Sequence, residues 1–138
     1  MKSEEFQSSR APEPVGPYPH ARRVGNLLFL SGIGPRQRGS DDIPGVQLDP
    51  HGNILSYDIE AQCHAVFNNV RQILEEAGSR WENLVDVTVF LTNMQADFPR
   101  FNQIYAEYFK THRPCRTTVE VNRLPTPIAI ELKCIATI

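Results

Sequence analysis

The stretch HRPCRTTVEVNR, residues 112–123, decides how this chain is read. Pro114 favours extended backbone and cannot donate to a strand ladder, so it marks where a strand begins rather than its middle. From Arg116 the side chains alternate. Thr117, Val119 and Val121 point one way, and Arg116, Thr118 and Glu120 the other. One face can then join a core while the other presents an arginine and a carboxylate from a rigid element. Arg116 offers a planar fork of donors that fits a carboxylate or phosphate. A solvated edge strand with a surface ion pair accounts for the same pattern. The weight placed on Arg116 therefore depends on the rest of the chain.

At 138 residues the chain is long enough for one domain with a core of its own. Its hydrophobic content of 41% and charged content of 22% are those of an ordinary globular domain. A net charge of −2 argues against general nucleic-acid binding. Arginine supplies 11 of the 14 basic residues, a tilt that suits bidentate recognition of small anions. The three cysteines, Cys63, Cys115 and Cys134, form no C-x-x-C pair, and the four histidines lack metal-ligand spacing. The expectation is a metal-free protein in a reducing cytoplasm, with no secretory signal and no membrane span.

Residues 1–14 read as a loosely held polar arm and 15–138 as the folded domain. Gly16-Pro17-Tyr18-Pro19 is a stiff turn that fixes Tyr18. His20 to Val24 and Leu27 to Ser31 read as a hairpin about Gly25-Asn26, and Val46 to Leu48 as a short strand. Gly32 and Gly34 end the hairpin with backbone that a ligand can approach closely. Asp58 to Ala77 carries an apolar stripe at helical spacing, with Ser56 or Asp58 as cap and Gly78 past the end. Val85 to Thr92 alternates as a strand, Asp97 caps a second helix over Phe98 to Lys110, and Ile128 to Ile138 closes the chain as a strand.

The fold class expected is α+β: about six strands in a mixed sheet with two helices on one face. The uncovered face is expected to carry Arg116, Thr118 and Glu120 together with Glu131, Lys133, Thr88 and Phe90. Apolar residues among charges on such a face suit burial against copies of the same chain, which predicts a homo-oligomer.

Six motifs in matching order resemble the RidA/YjgF family of reactive intermediate deaminases. They are GPYPHARRVGNLLFLSG (16–32), DIEAQ (58–62), VDVTVFLT (85–92), YAEYF (105–109), RPCRTTVEV (113–121) and IELKCIA (130–136). The resemblance implies a chorismate-mutase-like fold and a homotrimer, or a higher assembly, whose sheets form a barrel with sites at subunit clefts. It also implies cofactor-free hydrolysis of enamines or imines to a carbonyl compound and ammonia. By position, Arg116 would grip the substrate carboxylate, Glu131 would orient or activate water, and Tyr18 and Gly32 would lie beside the ligand. Ile33, Phe90, Cys115, Lys133 and Arg36 complete the expected substrate-binding set. The departures, Pro19-His20, Cys115, Lys133 and a long loop over Arg36 to Gly45, resemble the branch containing 2-aminomuconate deaminase, from bacterial degradation of aromatic compounds. Its dicarboxylate substrate needs a second cationic anchor, for which Lys133, Arg36 and Arg38 are candidates.

Other readings stand beside this one. A general deaminase of 2-aminoacrylate-like intermediates would use the same residues. A non-enzymatic trimer that binds small carboxylates is a different class of function, and RNA cleavage fits poorly with the acidic balance. Cys115 beside Arg116 could be a nucleophile, since positive charge favours a thiolate, but alternation points its side chain away and no base is evident.

Overall fold

The computed structural model describes residues 2–138. Its centre is the pair of strands with the strictest alternation, β6 (Leu84–Leu91) and β8 (Ile130–Thr137). They pair antiparallel with Val87 opposite Cys134, Val89 opposite Leu132 and Leu91 opposite Ile130. Cross-strand partners share a face, so these six side chains make one apolar layer, and all six are buried.

Two helices cover that layer. Helix α1 (Ile59–Glu76) starts at Asp58, whose carboxylate accepts from the Glu60 N–H at 3.0 Å. It ends where Gly78 takes a φ of 92° and the Ser79 N–H returns to the Leu74 carbonyl. Its stripe of Cys63, Val66, Phe67, Val70, Ile73 and Leu74 is buried as the spacing predicts. Helix α2 (Met94–Tyr108) begins a turn earlier than Phe98. Its cap is Asn93, which accepts from the Ala96 N–H, while Glu120 accepts from the Met94 N–H at 2.8 Å. These two acceptors satisfy an additional turn, so Asp97 lies inside the helix, buried and hydrogen-bonded by the Tyr57 hydroxyl.

Four further strands extend this pair into a six-stranded sheet in the order β1-β2-β3-β8-β6-β7. They are β1 (Ser3–Phe6), β2 (Ala21–Val24), β3 (Leu27–Leu30) and β7 (Cys115–Glu120). Only β6 and β7 run parallel. The α+β class, the mixed six-stranded sheet and the two helices on one face agree with the sequence reading. Its membership differs in two places. Val46–Leu48 (β4) pairs instead with Ile54–Tyr57 (β5) in a separate ribbon, and β1 supplies the outer strand.

The loosely held arm expected over residues 1–14 is thus replaced, over Ser3–Phe6, by a strand paired with β2. Downstream, Glu76 at the end of α1 accepts from the Ser9 N–H, from both serine hydroxyls of Ser8 and Ser9, and from Arg10 Nε. Ala11 is fully buried, and buried His20 accepts from the Ser8 N–H and donates to the Pro12 carbonyl.

The two faces of β7 are also exchanged relative to the sequence reading. In the parallel register Val87 sits beside Arg116, Val89 beside Thr118 and Leu91 beside Glu120. Arg116, Thr118 and Glu120 therefore belong to the helix-covered face. Thr117 and Val119 join Thr88, Phe90, Glu131 and Lys133 on the open one. The reading failed because β7 is an edge strand: its one valine, Val119, needs no core and is 36% exposed.

Candidate active site

Glu131 projects from the start of β8 beside Phe90 on β6, and both are half-buried on the open face. Burial raises the Glu131 carboxyl above its ordinary value, and the charge of Arg36 opposes that rise. The backbone next to it is unusually close. After β3 the chain bends so that Ile33 exchanges both backbone hydrogen bonds with Leu132, at 2.8 and 2.9 Å. That bend lays Gly32 against the carboxylate, and a Cβ there would fall 2.7 Å from Oε2. The position admits only glycine while Glu131 keeps this place.

Gly32 also borders a small cleft shared with Tyr18, Pro19, Ser31, Ile33 and Arg36. The tyrosine is held locally: its N–H donates to the Gly16 carbonyl and its hydroxyl accepts from the Val15 N–H. The Ser31 hydroxyl donates to the Pro19 carbonyl at 2.6 Å, tying the Tyr18 turn to the end of β3. Glu131, Phe90, Gly32, Ile33, Tyr18 and Arg36 thus gather around the β3–β8 junction.

The remaining cations are committed in different ways. Lys133 donates to the Leu30 carbonyl, where β3 leaves β8, and pairs with neither Glu131 nor Glu120 among the described residues. Arg38 spends Nε, Nη1 and Nη2 on Ala11, Glu13 and Ser8. Arg36 gives only Nη2, to the Glu13 carbonyl, among the described residues.

Arg116 lies elsewhere. Its guanidinium donates to Asn102 Oδ1 at 2.9 Å and rests 4.6 Å from the centre of the Tyr105 ring, with Phe98 and Phe101 also beneath it. Such a shelf orients a cation without neutralising it. The Tyr105 and Thr118 hydroxyls on this side are buried and have no hydrogen-bond partner among the described residues. Burial pushes the Tyr105 phenol up to about 12, against the pull of Arg116, so it stays a donor. Within one chain, Arg116 and Glu131 therefore occupy opposite faces of the sheet. Cys115 is exposed at the start of β7, and its alternation is opposite to that of Arg116.

Asn102 and the aromatic shelf escaped the sequence reading. Asn102 stands four residues after Phe98 and three before Tyr105, on one helical face. A polar residue at that spacing beside an aromatic stripe was the available signal. Among the described residues, no three His, Cys, Asp or Glu side chains converge as a metal set, and no helix is long and apolar enough to cross a membrane.

The comparisons with known proteins agree with this architecture. Residues 8–138 match the family model described as Endoribonuclease L-PSP. A RutC family protein of Pyrococcus abyssi is 40% identical over 137 residues, covering 99% of this chain and 98% of that protein. The Reactive Intermediate Deaminase A of Arabidopsis thaliana chloroplasts is 35% identical over 139 residues, covering all of this chain and 67% of the relative. Among solved structures, E. coli TdcF with bound serine superposes with a TM-score of 0.83 at 29% identity, over 98% of both chains. The motifs read from the sequence, the sheet order and these likenesses coincide over almost the whole length. The chain belongs to the RidA/YjgF family of reactive intermediate deaminases.

Proposed function

We propose that this protein hydrolyses enamine or imine intermediates without a cofactor, and that 2-aminomuconate is its substrate. The observation that carries the reading is Glu131, a half-buried carboxyl with raised proton affinity against backbone that Gly32 leaves bare. Hydrolysis of an imine needs one group that takes a proton from water and returns one to departing nitrogen. A carboxyl tuned upward by burial suits both steps. The imine tautomer of 2-aminomuconate has an electrophilic carbon beside a carboxylate. Water adds there as Glu131 takes one of its protons and passes it to the nitrogen. The hydroxyl proton of the resulting carbinolamine follows through the same carboxylate as the C–N bond breaks, leaving the carbonyl and ammonia. Arg116 fixes the adjacent carboxylate, with the idle hydroxyls of Tyr105 and Thr118 as neighbouring donors.

Because Arg116 and Glu131 face opposite ways in one chain, the site is completed by a second copy, in a homotrimer where the β7 edge of one chain brings Arg116 up to the open sheet face of the next. Arg36 is the second anchor: it borders the Gly32 cleft, whereas Arg38 and Lys133 are committed to backbone oxygens. The bound serine of TdcF, an amino acid carboxylate, supports a carboxylate site in this family. The net charge of −2 speaks against a nucleic-acid backbone as substrate, despite the description of the family model. Ammonia release from freshly generated 2-aminomuconate, compared with 2-aminoacrylate, tests the reading. A larger kcat/KM for the dicarboxylate is expected. Preference for the monocarboxylate makes this a general deaminase, and no acceleration over buffer makes it a carboxylate-binding protein.

A further inference from the structure

The strongest unassigned feature is a polar groove of about 300 Å³ on the far flank of the Arg36 loop, against α1. Arg10, Arg36 and Arg38 border it, opposite Asn68 and Gln72 on the helix. Asn69 fixes its wall by donating to the carbonyls of Gly34 and Arg36, at 2.9 and 2.8 Å. Two carboxylates beside its bordering arginines are already occupied, Glu76 by Arg10 Nε and the serines, and Glu13 by Arg38. Donors are left over. Among the described residues no hydrogen bond engages Nη1 or Nη2 of Arg10, Nε or Nη1 of Arg36, or the amides of Asn68 and Gln72.

We propose that this groove binds a phosphate-type oxyanion, free or carried on a small monoester. Guanidinium forks match the paired oxygens of such a group, and carboxamide N–H donors complete its coordination. Carboxamides also leave the groove without further negative charge, which a cation site would require. Arg36 borders both this groove and the cleft beside Gly32. Occupancy therefore draws the Arg36 guanidinium toward the oxyanion and away from the substrate's far carboxylate. This coupling, though not the binding itself, rests on the function proposed above. It raises KM for a dicarboxylate and leaves KM for a monocarboxylate unchanged.

Calorimetric titration of the substrate-free protein with inorganic phosphate and, separately, with glycerol phosphate tests the site. One site per chain is expected, and the tighter of the two ligands identifies the source. Arg10→Gln and Gln72→Glu should each weaken binding by about tenfold, the loss of one charge-assisted contact, while Arg116→Ala keeps it. Gln72→Glu changes only a partly exposed helix position, so it reports on the groove even if Arg10→Gln loosens the N-terminal segment. No saturable binding overturns the proposal. Binding that survives Gln72→Glu but disappears in Arg116→Ala does so too, by placing the oxyanion in the substrate site. Because binding is read without substrate, a failed deamination assay does not enter this result.

Discussion

Glu131 and Gly32 form one unit, since the carboxylate can occupy its place only where no Cβ stands. Gly32→Ala should push the carboxylate aside and lower kcat by roughly 10²-fold, the cost of an ångström-scale misplacement, with little change in Tm. Removing the base altogether in Glu131→Gln should cost about 10²–10⁴ in kcat. Its pH dependence has a definite sign. Burial raises the carboxyl above 4.5, so the native state holds a proton over a window in which the unfolded chain has released it. Stability from this group is full below that window and falls as pH rises through it. Turnover runs the other way, because the base must be ionised. The acid limb of kcat/KM should therefore lie above the ordinary carboxylate range. Arg36→Gln should move the limb further up, since the Arg36 charge holds the carboxyl down. At neutral pH Glu131→Gln should be as stable as the parent or more so, the trade expected where an active site keeps a group that burial disfavours.

At the scale of elements, the N-terminal segment shows how much local reading can miss. Burial alone would raise the Glu76 carboxyl, but bonds from the Ser9 N–H, the Ser8 and Ser9 hydroxyls and Arg10 hold it down to about 2. A depressed carboxyl stabilises the fold above its unfolded value of 4.5 and loses that contribution as pH falls toward 2. Glu76→Gln should cost about 1–2 kcal/mol near neutral pH, discounted for partial exposure, and remove this acid-side loss. A urea titration at two pH values measures both. Nothing in Ser8-Ser9-Arg10 announces a partner 67 residues away, which is why that segment reads as a loose arm. By contrast α1, β8 and β6 from Val87 onward are legible, because strong periodicity and full burial coincide there, whereas a bulge at the start of β6 buries Leu84 and leaves Val85, expected on the core face, exposed. The phase of β7 is not, since an edge strand can turn valines outward and lay its arginine over a helix's aromatic face. Arg116, Glu131, Tyr18 and Gly32 could be named from sequence, but which of them share a face depends on the β6–β7 register. That register is a non-local property.

The opposition of Arg116 and Glu131 becomes testable at the scale of the whole molecule. If each site takes its carboxylate grip from one chain and its base from another, Arg116→Ala and Glu131→Gln proteins are both inactive alone yet complementary. An Arg116→Ala chain still offers Glu131, and a Glu131→Gln chain still offers Arg116. After co-refolding at equal amounts, about a quarter of the interfaces pair two intact halves, by random assortment within a closed ring. Ammonia release should return to roughly that fraction of the parent rate. A site built within one chain predicts no recovery at any mixing ratio, because every chain then carries one lesion in its own site. Light scattering on the same samples should give three chains per particle. Ile135→Arg, placing a charge among Phe29 and Asp86 on the open face, should give monomers that neither turn over alone nor complement either variant. A monomer with full activity would remove the second copy from the mechanism and require Arg116 to reach Glu131 around the β7 edge.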